Sequence, residues 1–213
     1  MSDSVKLSPR LAACASLVRE GKRLADVGCD HGYVPVSLVL DGKIPSAVAC
    51  DINEGPLASC RWLVQSYSLD DKIKCVLSDG LQNVDGDSVD DILLAGMGGE
   101  LIADILQNCH YIKEKHVVVN AMTHPELARK WLYENGFEIK SDIVLPDGKH
   151  HYSVFDAVYT GVLTEPDDVK CFLGEITDFS DKDFFIHLLN YLHNKQKGGF
   201  DYSKVIAEIE KRL

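Results

Sequence analysis

The stretch RLADVGCDHGYVPVSLVLDG, Arg23–Gly42, decides the fold. A short apolar run ends in glycine and polar residues, and a helical stretch then runs to a closing Gly42. That is strand, loop, helix. The same unit recurs outward from it. SAVACD (Ser46–Asp51) predicts a strand, Gly55–Tyr67 a helix and IKCVLSD (Ile73–Asp79) a third strand. ILLAG (Ile92–Gly96), the helix Glu100–Asn108, HVVVNA (His116–Ala121) and the helix Pro125–Asn135 continue it. Such alternation predicts an α/β fold, a mostly parallel sheet with helices on both faces. Phe137–Leu145 and Tyr152–Tyr159 flank PDGKHH with no helix between them, which predicts an antiparallel hairpin at the sheet edge.

Two segments lie outside this pattern. Leu7–Arg19 opens with Ser8-Pro9, a helix cap followed by proline at the first helical position, and carries Leu11, Ala15 and Val18 at helical spacing. It predicts a leading amphipathic helix. Beyond Gly161, Asp183–Lys195 and Tyr202–Leu213 predict two helices joined by KGGF, a small C-terminal helical appendage too short to hold its own core. The expected organisation is one domain over 1–161, including the leading helix, and a helical region over 162–213.

The 213 residues suffice for one well-buried domain and little more. Hydrophobic content of 46% with 26% charged residues is that of a globular enzyme. No apolar run reaches the roughly 18–20 residues needed to cross a bilayer, and MSDSVKLSPR does not resemble a signal peptide, so a soluble, cytoplasmic protein without a membrane partner is expected. Seven cysteines without a CxxC pair predict reduced thiols, with neither a disulfide framework nor a metal site. A net charge of −11 excludes a protein that coats nucleic acid through its overall field. Lys6, Arg10, Arg19, Lys22 and Arg23, however, make the leading segment locally basic.

In an open parallel sheet, ligands bind beyond the carboxyl ends of the strands. That rule selects Asp26-Val-Gly28-Cys29-Asp30-His31-Gly32, then Asp51, then Ser78-Asp79-Gly80, then Ala95-Gly96-Met97-Gly98-Gly99, the last expected as a flexible loop. Gly28 and Gly32 let backbone approach a ligand closely. Asp51 is placed to accept hydrogen bonds from both hydroxyls of a ribose. A dinucleotide site wants glycine where this chain has Asp30. A carboxylate there repels pyrophosphate but attracts a sulfonium that also carries an ammonium, which favours S-adenosyl-L-methionine over a nicotinamide cofactor.

LADVGCDHGYVP, ACDINEGPL, SDGL, AGMGGELIADIL and ARKWLYENGF, in that order over roughly residues 7–160, resemble the bacterial tRNA (adenine-22 N1)-methyltransferase family. The resemblance implies a Rossmann-like class I methyltransferase sheet, S-adenosyl-L-methionine as methyl donor, tRNA as substrate and a coiled-coil-like helical C-terminal region. It implies further that Asp26 and Gly28 form the methionine-end loop, with Cys29 and Ile52 among the cofactor contacts. Asp51 would hold the ribose and Asp79, beside Gly80, would read the adenine amino group. Gly96 and Met97 would line the methyl-transfer cleft, and His31 would face the acceptor. One segment departs from the family: VVNAMTHPE stands where an LQP-type sequence is expected after the fifth strand.

An adenine ring nitrogen already owns an in-plane lone pair, so orientation rather than a strong base should dominate. Asp26 or Asp30 could stabilise the cationic product or accept an amino proton. Asp30 has an equally good reading as a helix cap. His31 has one as a structural loop residue. Cys29, Cys50 and Cys75 read as small core residues, His150 and His151 as solvent-exposed, and Trp62 and Trp131 as packed against the sheet. Lys6, Arg10 and Arg19, with Lys195, Lys197 and Lys204 of the tail, are the candidate RNA contacts. Two other functions compete: a small-molecule methyltransferase, and a non-catalytic RNA- or protein-binding module that retains a cofactor site.

Overall fold

The computed structural model describes residues 5–213, so the first four residues of the expected 1–161 unit lie outside the described residues. Five parallel strands, β1 (Leu24–Val27), β2 (Ala47–Asp51), β3 (Ile73–Leu77), β4 (Asp91–Gly98) and β5 (His116–Thr123), are joined through helices, except that β3 reaches β4 by a loop with one 3-10 turn at Gly86–Ser88. The hairpin β6 (Phe137–Asp147) and β7 (His150–Tyr159) completes a seven-stranded sheet of order β3-β2-β1-β4-β5-β7-β6. β7 pairs antiparallel with β5, which leaves β6 at the edge. The tight turn is only Gly148-Lys149, with Gly148 at φ +65°, so the outer residues of PDGKHH extend the strands.

The helices are α1 (Pro9–Leu17), α2 (Tyr33–Leu40), α3 (Glu54–Ser66), α4 (Gly99–Gln107), α5 (Pro125–Glu134), α6 (Asp168–Leu173), α7 (Lys182–Lys197) and α8 (Ser203–Arg212). Ser8 caps α1, accepting from the Leu11 amide, and its hydroxyl donates to Asp147 of the hairpin. β1 and β2 are buried along their whole length because both faces of the sheet are covered. Alternate residues feed opposite cores: Ile92 and Leu94 face one cluster, with Ile102 and Leu106 of α4, and Leu93 faces the other, with Val36 and Leu57 of α2 and α3.

Two expectations are corrected here. The Gly96–Gly98 segment is not a free loop, because β5 extends far enough to pair Met97 with Ala121 and Gly98 with Thr123 across a bulged register. Gly99 then starts α4 so close to α5 that a Cβ added there would fall 1.9 Å from the His124 carbonyl oxygen. The tail does hold its own small core. Phe172, Phe185, Leu192, Val205 and Ile209 are buried together, and Val144 of β6 packs against them. α6, absent from the sequence reading, joins this cluster to α5.

Arg129 of α5 makes that junction. Fully buried, it donates to both carboxylate oxygens of Asp142 in β6, to the Cys171 and Phe172 carbonyls of α6 and to Ser153 Oγ of β7. A second charge network lies at the amino ends of β4 and β5. His116 Nε2 is 2.8 Å from Asp156 Oδ2, its Nδ1 is 3.3 Å from Asp91 Oδ2, and Arg19 donates to Asp91 through its Nε and its backbone amide. The guanidinium of Arg19 is thus paired with an aspartate at the sheet end remote from the strand carboxyl ends.

Candidate active site

At the switch point between β1 and β4, where the chain leaves the sheet in opposite directions, a cavity of about 500 Å³ opens at the strand carboxyl ends. It brings together Asp26 of β1 with Gly28, Cys29, Asp30 and His31 after it, Asp51 at the end of β2 with Ile52, Asp79 and Gly80 after β3, and Gly96 and Met97 of β4. Gly28, at φ +71°, carries the chain over Met97: a Cβ added there would lie 3.5 Å from the Met97 sulfur. Its amide and that of Cys29 both donate to the Cys50 carbonyl, which fixes the loop to β2.

The carboxylates differ in their surroundings. Asp26 is buried, and no protein group among the described residues donates to it. Burial, with the charge of Asp51 added to it, pushes its carboxyl up to about 7. Asp51 accepts from the Asn53 amide through Oδ1 at 2.8 Å. A cation placed in this cavity relieves the repulsion between the two and supplies the donor that Asp26 lacks. The volume falls within the range of about 300–1,000 Å³ that encloses cofactor-sized ligands. The residues therefore fit a ligand with a cationic amino-acid end and a ribose, as S-adenosyl-L-methionine has.

Asp30 stands at the rim with most of its side chain exposed and its backbone at φ +48°. It does not cap α2: Gly32 occupies that position and makes no side-chain bond, so the capping alternative is removed. His31 sits 3.6 Å from Asp30 and stacks on Tyr33, with ring centroids 5.3 Å apart.

Arg10, expected only as an RNA contact, lines the same cavity. Its Nη1 donates to Asn120 Oδ1 at 2.8 Å, and the fully buried Asn120 amide donates in turn to the Ser153 carbonyl. The atypical NAM segment thus aims the guanidinium from α1. Ser78, selected with Asp79 and Gly80, lines the cavity too, and Tyr33, Asn53, Leu101, Ile105 and Met122, not singled out from the sequence, join it. All five lie inside stretches quoted above, so their place along the chain was visible while their side-chain role was not.

The remaining candidates lie elsewhere. Lys6 is exposed ahead of α1, and Lys204 lies in a separate groove beside Asp167, Asp168 and Asp201. Lys195 covers Tyr191 on α7, and Lys197 donates to Asn194. Tyr191 lies 6.4 Å from the His124 ring, which brings this part of α7 to the exit of β5. His151 is not free in solvent, because its Nδ1 is 2.8 Å from Asp181. Cys29 and Cys50 are buried, and burial raises the Cys50 thiol to about 12, which makes it a poor nucleophile at neutral pH. Cys75 is only partly buried. Trp131 packs beside Phe137 and donates to Gln107. Trp62 contradicts its expected packing: it is 68% exposed.

Residues 7–155 match the methyltransferase domain family. The chain is 31% identical over 169 residues to the tRNA (adenine(22)-N(1))-methyltransferase of Bacillus subtilis, covering 75% of this chain and 71% of that protein. It is similar to the crystal structure of the B. subtilis m1A22 tRNA methyltransferase TrmK, with a TM-score of 0.81 and 25% identity, over 98% of this chain and 96% of that one. It is likewise similar to M. capricolum TrmK in complex with S-adenosyl-homocysteine, with a TM-score of 0.79 and 26% identity, over 97% of this chain and 94% of that one.

Proposed function

Because the chain belongs to the methyltransferase domain family and, within it, to the tRNA (adenine(22)-N(1))-methyltransferases, we propose that it methylates N1 of an adenine in tRNA, at position 22, with S-adenosyl-L-methionine as donor. One observation carries the reading: Asp26 and Asp51, two acidic side chains with little solvent, converge on a cavity at the sheet's switch point and call for a cation. The cofactor, when bound, supplies an electrophilic methyl group on a sulfonium.

In this reading Asp26 holds the ammonium end, Asp51 the ribose and Asp79 the adenine amino group. Gly28, Gly96 and Met97 shape the wall along which the acceptor approaches. The acceptor nitrogen needs no base to create its lone pair, so the contribution of the protein is to hold that nitrogen in line with the methyl group and to keep water away. N1 lies on the pairing edge of adenine, so the base enters unpaired. Asp30 and His31, at the rim, face the positive charge that develops on the ring, and a carboxylate there lowers its energy. Arg10, aimed by Asn120, offers guanidinium donors to a phosphate of the incoming RNA.

Incubation with labelled S-adenosyl-L-methionine and unmodified bacterial tRNA, followed by digestion to nucleosides, tests the proposal. Labelled 1-methyladenosine is the expected product. Label in small molecules alone, or cofactor binding with no turnover, would replace this reading with one of the two competing functions.

A further inference from the structure

Where the cavity ends at His31 and Tyr33, a shallow depression begins, lined by those two rings and by Ala58, Ser59, Trp62 and Leu63. An indole that is 68% exposed forgoes most of the burial an aromatic side chain of its size can gain. Tyr33 is 41% exposed and braced by its stack on His31. The lining contains no carboxylate and no lysine or arginine. The nearest ionic pair on this helix, Arg61 with Glu54, is self-neutralising. The depression therefore offers open aromatic faces without charge, which suits a flat heterocycle better than a phosphate.

We propose that Trp62 and Tyr33 form a stacking shelf for an unpaired nucleobase next to the target adenine. The proposal rests on the tRNA reading above. A target base drawn out of its helix leaves its neighbours with an uncovered face, and an indole beside the mouth of the site replaces the lost stacking whatever the neighbouring base is. Continuity with the catalytic cavity through His31 and Tyr33 puts the shelf where that neighbour must pass. A protein partner fits less well: six lining side chains fall far short of the roughly 20–30 residues a side of a stable interface.

The test uses the full chain with Trp62→Ala and Trp62→Phe, unmodified tRNA and labelled S-adenosyl-L-methionine. Trp62→Ala should raise KM for tRNA about tenfold with cofactor affinity unchanged, and Trp62→Phe should recover most of the loss. In a Trp131→Phe background, Trp62 is the sole indole, and single-stranded RNA should quench its fluorescence. An unchanged KM together with no quenching would overturn the shelf. A wild-type dimer that Trp62→Ala dissociates would reassign it to contact between two copies. If the wild type binds cofactor but leaves tRNA unmethylated, the tRNA reading fails, and quenching by RNA alone still decides the shelf.

Discussion

The guanidinium of Arg129 and the carboxylate of Asp142 meet in a two-point ion pair, Nε to Oδ2 at 2.9 Å and Nη2 to Oδ1 at 3.1 Å, with neither side chain reaching solvent. Removing one member strands the other as a buried charge. Arg129→Ala should therefore destabilise the chain by about 3–5 kcal/mol, read from urea unfolding. The loss should extend to the tail, because the Cys171 and Phe172 carbonyls lose their donor as well. A variant within 1 kcal/mol of wild type would show, on the order of this principle, that the pair is dispensable.

Asp26 predicts a pH dependence of cofactor binding. In the free chain its carboxyl titrates at about 7, and a bound cation favours the ionised form and lowers that value. Affinity should be fully developed on the alkaline side and weaken as pH falls through about 7, with a proton released on binding near and below that pH. Calorimetry in buffers of different ionisation enthalpy reads both effects. Asp26→Asn should bind more weakly and without the slope, and a flat wild-type profile would reject the assignment.

Asp51→Ala should reduce S-adenosyl-L-methionine affinity about 10- to 100-fold, the loss of charge-assisted hydrogen bonds to the ribose hydroxyls, without altering tRNA binding. Equilibrium dialysis and a gel-shift assay separate the two. Unchanged cofactor affinity would refute the ribose role.

The local consequences of the α/β pattern were legible because they depend on neighbours in sequence. Strand, glycine turn and helix succeed one another from Arg23 to Gly42, and the acidic strand ends follow from the same periodicity. What escaped depends on distant partners. Arg10 and Asn120 are 110 residues apart, so nothing in the N-terminal pattern tells that the arginine points into the cavity. Arg19 looked like a free surface cation only because Asp91, 72 residues away, was not known to receive it. Gly96–Gly98 looked like a loop because glycine is rare in strands, but pairing with an extended β5 overrides that preference. α6 escaped because its six residues are too few to display a helical period.

His116 predicts a stability change of opposite sense to that of a salt-bridged carboxylate. Burial lowers its pKa, but the hydrogen bond with Asp156 and the adjacent carboxylate of Asp91 outweigh burial and leave it raised. The stabilisation is therefore complete below the ordinary histidine value and is lost as pH rises through the folded one. Urea midpoints should fall over that interval for the wild type and stay level for His116→Gln. Equal slopes for the two would place the effect elsewhere.

Gly99→Ala should cost about 1–3 kcal/mol, since the new methyl group would overlap the His124 carbonyl and force β4 and α5 apart. A thermal melt compared with that of Gly55→Ala, where a Cβ meets nothing within 4 Å, isolates the clash from the change in helix propensity. Matching melts would mean that the two elements yield without strain.

The guanidinium steered by Asn120 gives the cavity an electrical polarity. Aspartates crowd the side under β2 and β3, while the lone strong base among its lining residues stands toward β5 and the hairpin. A polyanion nearing this mouth meets repulsion on the flank of the aspartates and less of it on the flank of Arg10, whose guanidinium Asp147 partly balances. A chain with a net charge of −11 thus keeps one flank of this mouth where its own field is weakest.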